Sequence, residues 1–169
     1  MPNLLELPSW DQQGRLLIVV ETPRGAAFKI RYDPATLTFT YQRALQNRRY
    51  PHDWGFVPGT IADDGDPLDA LVLHQDATWP GLVVPSEPIA LLKICDKKAG
   101  AEREVQNDRI IAVPAGQSAA VASALSAQKR SELEDFFRAT GEQSGKAVRV
   151  SGWGDASAAR AAIERAKGQ

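Results

Sequence analysis

Residues 50–70 read YPHDWGFVPGTIADDGDPLDA, and the run DGDPLD at 64–69 places three carboxylates within six residues. Three like charges this close repel one another unless a cation lies among them. Gly65 permits unusual backbone angles and Pro67 fixes its own, so the run is predicted to form a shaped turn. Carboxylate oxygens held by a rigid turn are the ligands that hard divalent cations such as Mg²⁺ prefer.

Two other interpretations of this turn are open. On turn and capping preferences alone, it is equally compatible with a solvated acidic turn in which an Asp caps a helix. A calcium-binding EF-hand loop matches less well. Its glycine falls at the wrong position, and Gln75 stands where the terminal Glu of such a loop belongs.

Composition excludes several classes of protein. The 169 residues predict a single domain, 1–169, with room for a sizeable core. A net charge of -1 gives no basic field, so we expect no nucleic-acid partner. No apolar stretch is long enough to span a bilayer, so no membrane partner is expected either. Cys95 stands alone, which excludes an intramolecular disulfide and a thiolate zinc cluster and indicates a cytoplasmic protein.

The pattern of apolar residues changes once along the chain. Up to residue 118, short apolar or alternating runs are separated by Gly and Pro, which is typical of strands. The predicted strands are Arg15–Glu21, Ala27–Tyr32, Leu37–Arg43, Leu71–Leu73, Ile89–Cys95, Arg109–Val113 and, later, Ala147–Val150.

After residue 118 the apolar period becomes helical. The Ala-rich stretches near 119–127 and 156–162 are predicted to be helical, and Asp155 is a predicted N-cap. Strands followed by helices indicate an α+β fold, with helices packed on a small antiparallel barrel. The residues expected to share a buried helical face are Leu133, Phe136 and Phe137 in one helix and Ala159, Ala162, Ile163 and Ala166 in the other.

Charged residues on the predicted strands suggest a ligand. Lys29 and Arg31 share one strand face, while Glu21 and Arg43 each lie in register with apolar residues. Each charge alone is compatible with an ordinary solvated position. Together with the carboxylate turn, they suit an anionic ligand that carries metal ions, such as a polyphosphate bound with Mg²⁺.

The stretch Tyr50–Thr60 followed by 64–70 resembles the soluble family I inorganic pyrophosphatases, whose hallmark is D-G-D-P-hydrophobic-D shortly after a Tyr-Pro segment. The likeness covers nearly the whole chain in order. It implies an α+β fold with a five-stranded, OB-like antiparallel β-barrel flanked by two α-helices. It also implies hydrolysis of pyrophosphate with Mg²⁺, with Mn²⁺ or another divalent cation as alternatives, and commonly a hexamer. Further matching segments are Val20–Pro23, Phe28–Lys29, Leu92–Asp96, Ile110–Val113 and Gly152–Trp153.

The resemblance also implies roles for individual residues. Asp66 is the residue that orients and deprotonates the attacking water. The implied metal ligands are Asp64, Asp69, Asp96 and Asn107, and the implied substrate-site residues are Lys29, Arg43, Tyr50, Trp54, Arg109 and Glu21.

Several positions depart from the family pattern. Arg31 stands where a carboxylate is usual, and Asn107 and Arg109 stand where Asp and Lys are usual. Asn still offers a neutral oxygen to a metal, and Arg replaces a point charge with a planar fork. Trp54 replaces a Tyr and so lacks the phenol oxygen.

The phosphate clamp near the end of the first helix is altered as well. A Tyr-Lys pair usual in the family is missing, and only Arg138 or Lys146 could partly compensate for it. Glu102 or Glu104 could replace a lost metal ligand, although a solvated loop is the commoner role for such residues.

Three functions therefore compete. The first is a Mg²⁺-dependent inorganic diphosphatase, with either typical or reduced activity. The second is a phosphohydrolase of the same fold that acts on an organic or nucleotide pyrophosphate. The third is a catalytically weak barrel that binds metal-phosphate or a protein partner.

Overall fold

The computed structural model describes residues 2–117 and 125–167, which form a short 3₁₀ turn at Leu4–Glu6, nine strands and two α-helices. The strands are β1 (Leu16–Thr22), β2 (Phe28–Asp33), β3 (Thr38–Ala44), β4 (Asp53–Val57), β5 (Leu68–Val72), β6 (Val83–Lys98), β7 (Val105–Gln106), β8 (Arg109–Pro114) and β9 (Lys146–Asp155). The helices are α1 (Ala127–Gln143) and α2 (Ala156–Lys167).

Five of these strands close into a ring. Hydrogen bonding runs from β1 to β4, β5, β8 and β6, and β6 returns to β1. Strand β9 extends β6 outside the ring, and β2 and β3 form a separate hairpin. The predicted α+β class and OB-like arrangement of five strands are confirmed.

One pairing in the ring differs from the antiparallel prediction. Strands β5 and β8 run parallel, and this places Asp69 and Arg109 side by side. The long β6 and the short β7 lie between them in the chain, which provides the crossover that a parallel pair requires.

All seven predicted strands are present, but the sequence pattern predicts neither the two-residue β7 nor β4. Pro51 and Pro58 flank this strand, and Gly55 lies inside it, so its sequence resembles a turn. The structure explains the glycine, because a Cβ at position 55 would lie 1.9 Å from the carbonyl oxygen of Val19 on β1. Gly55 therefore permits the close approach of two ring strands.

The two helices bury the faces that their sequence periods predict. Helix α2 packs Ala159, Ala162, Ile163 and Ala166 against the core inside the ring, and the Asp155 carboxylate accepts a hydrogen bond from the Ala158 amide at 2.9 Å, as expected for an N-cap. Helix α1 begins at Ala127, and residues 119–124 of the Ala-rich stretch lie outside the described residues.

A second buried cluster connects helix α1 with the ring. Leu133, Phe136 and Phe137 of α1 pack with Tyr50 and Trp54. Each such side chain contributes about 1.5–3 kcal/mol when it is fully removed from water. Packing of α1 thus fixes two of the predicted substrate-site aromatics in place.

Candidate active site

The eleven residues predicted for the site line two adjoining cavities. We call the larger one, of about 360 Å³, the carboxylate cavity. We call the smaller one, of about 60 Å³, the aromatic cavity. The carboxylate cavity is lined by Glu21, Lys29, Trp54, Asp64, Asp66, Asp69, Asn107 and Arg109, and the aromatic cavity adds Arg43, Tyr50 and Asp96.

The charges around the two cavities balance. Among the described residues, five carboxylates and five cationic side chains line them, and the cations lie mainly on the hairpin and on β8. The carboxylates are Glu21, Asp64, Asp66, Asp69 and Asp96, and the cations are Lys29, Arg31, Arg43, Arg109 and Lys146.

Two of the cations face each other across the hairpin. Lys29 and Arg43 are paired residues of β2 and β3, and like charges in such a pair destabilise a sheet. Arg43 donates one hydrogen bond, from Nη2 to the Thr140 carbonyl at 3.3 Å, while its Nη1 is buried without a partner. Burial also lowers the pKa of Lys29. This arrangement favours an anion between the two side chains.

Arg109 lies at the junction of the two cavities. Its Nη1 lies 2.7 Å from the Asp69 carboxylate and its Nη2 lies 3.8 Å from that of Asp96. The guanidinium stacks on Trp54 and Phe137, at 5.1 Å and 5.3 Å from the ring centroids. Because its Nε is buried without a partner, this arginine retains capacity to bind an anion.

Two of the carboxylates are largely buried. Burial raises the pKa of Asp69, although the neighbouring Arg109 and Lys29 oppose the effect. Burial also raises the pKa of Glu21 to about 7, while this carboxylate accepts a hydrogen bond from the Tyr32 amide at 2.7 Å. A bound cation would relieve the cost of keeping both groups ionised.

The acidic turn has the shape that its sequence predicts. Gly65 has φ +85°, and the Asp64 carboxylate accepts the Asp66 amide at 3.0 Å. The Asp66 carbonyl accepts the Ala62 amide at 2.7 Å, which closes the turn against itself. Asp66 also forms an ion pair with Arg31, 2.6 Å from Oδ1 to Nη2.

Known proteins resemble this chain over nearly its whole length. The family model described as Inorganic pyrophosphatase matches residues 18–169. The chain belongs to the inorganic pyrophosphatase family. An inorganic pyrophosphatase of Thermus thermophilus is 36% identical over 187 residues, covering 99% of this chain and 100% of that one. One from Halobacterium salinarum is 37% identical over 163 residues, covering 93% and 89%.

Solved inorganic pyrophosphatases share the fold as well. The crystal structure of the Thermus thermophilus inorganic pyrophosphatase superposes with a TM-score of 0.85 at 32% identity, covering 99% of this chain and 98% of that chain. The predicted membership and fold are thereby confirmed. Among the described residues, no helix has the length and apolar character needed to cross a bilayer.

Membership in the inorganic pyrophosphatase family implies a divalent metal cofactor, and the residues present fit one. No group of three or more Asp, Glu, His or Cys side chains in the described ranges forms a ready metal cage. Mg²⁺, however, usually binds through one or two carboxylates together with water and substrate phosphate. The Asp96 Oδ1 atom is buried without a hydrogen-bond partner, as expected for an oxygen that a cation would satisfy.

The structure distinguishes between the candidates for the altered phosphate clamp. Lys146 lines both cavities, whereas Arg138 pairs with Glu134 and Asp135 on helix α1, at 3.1 Å and 3.3 Å, and lines neither. Lys146 is therefore the candidate that can reach a ligand. Its position at the start of β9 brings it there.

Four other charged residues lie away from the two cavities. Glu104 pairs with Arg149 at 2.7 Å on the exposed surface, and neither it nor Glu102 lines a site cavity. Arg48 and Arg49 are also exposed and lie outside both cavities.

Phe137 is a site residue that sequence reasoning assigned only to the core. It stacks on Arg109 at the wall of the aromatic cavity, and the Thr140 carbonyl beside it accepts the Arg43 guanidinium. The helical period reports that Phe137 is buried. It carries no information about whether the covering surface is core or ligand site.

Proposed function

We propose that this protein hydrolyses inorganic pyrophosphate to two orthophosphates with Mg²⁺. The observation that carries the proposal is the Lys29–Arg43 pair, whose opposed cations and unpartnered Nη1 lie beside a cavity lined by carboxylates. Pyrophosphate with bound divalent cations has both kinds of charge, and it would satisfy both sets of side chains at once.

The metal ligands proposed for this chain are Asp64, Asp69, Asp96 and the amide oxygen of Asn107. Mg²⁺ held there would neutralise phosphate charge and acidify a nearby water. The buried Asp96 Oδ1 supports this assignment, as does the desolvation of Asp69. Asn107 donates from Nδ2 to the Asp96 carboxylate at 2.9 Å, which leaves its Oδ1 available for a cation.

The cationic side chains are proposed to bind the phosphate groups. Lys29 and Arg43 bind one phosphate between them, and Arg109 contributes its unpartnered Nε at the junction of the cavities. Lys146 supplies a further positive charge in place of the missing clamp. Tyr50 and Trp54 form a wall of the site that holds the cationic side chains in position. Trp54 stacks on Arg109 at 5.1 Å and lies 5.6 Å from the Lys29 ammonium.

Asp66 is proposed to accept the proton of the attacking water. It lies on the turn that lines the carboxylate cavity, opposite the cationic hairpin, so a water beside it can approach a phosphate bound by Lys29. Attack by water needs no covalent intermediate, and catalysis then consists of positioning and charge stabilisation. Glu21, which lines the carboxylate cavity, is proposed to contribute negative charge to the site.

A phosphate-release assay tests the proposal. Purified protein with pyrophosphate and Mg²⁺ is expected to release phosphate, and chelation of the metal is expected to abolish release. A parallel panel of nucleoside di- and triphosphates tests the alternative function, hydrolysis of an organic or nucleotide pyrophosphate. The exposed position of Arg31 at the cavity is the observation that favours this alternative. Turnover of an organic substrate without turnover of pyrophosphate would overturn the proposal.

We also infer a cytoplasmic homo-oligomer, with a hexamer as the expected assembly. The lone Cys95 supports the cytoplasmic location, and family resemblance supports the assembly. Light scattering on the purified protein measures the assembly directly, and a monomeric mass would contradict it.

A further inference from the structure

The ion pair between Arg31 and Asp66 joins the two sides of the candidate site. Arg31 lies on β2, two residues after Lys29, so both side chains lie on the same face of the strand and line the carboxylate cavity. Asp66 lies on the opposite acidic turn, with its Oδ1 at 2.6 Å from Arg31 Nη2. The proposed base and a cation from the phosphate-binding strand are thus in contact.

This ion pair is well placed to exchange partners. Its side chains are 46% and 50% exposed, and exposed pairs of this kind contribute only about 0–1 kcal/mol. A phosphate group offers the guanidinium more negative charge and two oxygens for a bidentate contact. A phosphate that entered beside Lys29 would therefore compete effectively with Asp66 for Arg31.

We propose that Arg31 is a substrate-binding residue that exchanges the Asp66 carboxylate for a phosphate oxygen when pyrophosphate binds. The inference rests on the proposed function. The exchange adds a phosphate contact and frees the Asp66 oxygen that the ion pair occupies. In the ligand-free protein the same pair relieves the repulsion among the carboxylates of the acidic turn. Arg31 thereby couples occupancy of the phosphate site to the availability of the base.

Binding of imidodiphosphate, a non-hydrolysable analogue, in the presence of Mg²⁺ tests this role by titration calorimetry. Four proteins are compared: the wild type, Arg31→Ala, Asp66→Asn and the double variant. We expect Arg31→Ala to weaken binding about tenfold in both the wild-type and the Asp66→Asn backgrounds. Arg31→Lys is expected to recover part of the loss. The exposed Arg48 provides a matched control, and Arg48→Ala should bind as the wild type does.

Two results would overturn the proposal. Unchanged binding by Arg31→Ala would show that Arg31 does not reach the ligand. A loss that appears in the wild-type background but vanishes with Asp66→Asn would show that Arg31 only neutralises Asp66. Neither result bears on whether the wild-type protein hydrolyses pyrophosphate, which the phosphate-release assay decides separately.

Discussion

Arg109 and Asp69 are neighbouring residues on the parallel strands β8 and β5, and their side chains meet at 2.7 Å between the two site cavities. The guanidinium also stacks on Trp54 and Phe137, so it is held on several sides. Its planar shape and delocalised charge suit this position, where a lysine would lose the stacking contacts.

Arg109→Ala is expected to destabilise the fold by about 3 kcal/mol, because it leaves the desolvated Asp69 carboxylate without its partner. Arg109→Lys is expected to lose less, since it retains the charge. Urea unfolding measures both. As a control, Arg149→Ala removes an exposed pair with Glu104 and should change the free energy of unfolding by less than about 1 kcal/mol. Equal losses for Arg109→Ala and Arg149→Ala would contradict the structural role.

Asp66→Asn is expected to reduce kcat for pyrophosphate by at least about 100-fold, because an amide cannot accept the proton of the attacking water. The melting temperature should stay close to that of the wild type, since Asp66 is only partly buried. Asp63→Asn is the matched control from the same turn, because Asp63 lines a different cavity. A wild-type rate for Asp66→Asn would remove this residue from the role of base.

Asn107→Asp is expected to tighten Mg²⁺ binding about tenfold, because it adds a charge beside the Asp96 carboxylate. In the absence of metal, repulsion between the two carboxylates should lower the free energy of unfolding. This loss of stability should disappear when Mg²⁺ is added. Calorimetric titration with Mg²⁺ alone and urea unfolding with and without Mg²⁺ measure the two effects. An unchanged Mg²⁺ affinity would mean that position 107 does not face the metal.

Glu21 makes stability depend on pH. The folded protein binds its proton more tightly than the unfolded chain, because burial raises the pKa to about 7 from 4.5. The contribution of this group is therefore most favourable below about pH 4.5 and declines as the pH rises to about 7. Glu21→Gln removes the ionisation and retains an oxygen for the Tyr32 amide.

The stability of Glu21→Gln relative to the wild type is expected to rise by about 2 kcal/mol between about pH 5 and about pH 8. Urea unfolding of both proteins across this range measures the difference. Parallel pH profiles for the two proteins would show that Glu21 is ionised equally easily in the folded and unfolded states.

Most strands and the helix faces could be predicted from local pattern, because burial of one face imposes a period of 2 or 3.6 residues. Strand β4 could not, since its glycine and flanking prolines resemble a turn, and the reason for Gly55 is contact with the distant Val19. The parallel pairing of β5 with β8 was also missed. Strand direction within a ring depends on how long connections cross, and local composition does not record it.

The candidate site residues could be predicted from motif and family resemblance. The residue types of the carboxylate turn and of the cationic strand positions by themselves indicate metal and phosphate binding. The sequence by itself thus determined the family, the fold class and the set of charged groups. Only the tertiary structure decided how these groups are paired, Arg31 with Asp66 and Arg109 with Asp69. It also decided that Lys146, rather than Arg138, lies at the cavities. The physical reason is that an ion pair depends on a few ångströms between residues far apart in the chain, and those distances are set by how the ring, the hairpin and β9 are arranged around the site.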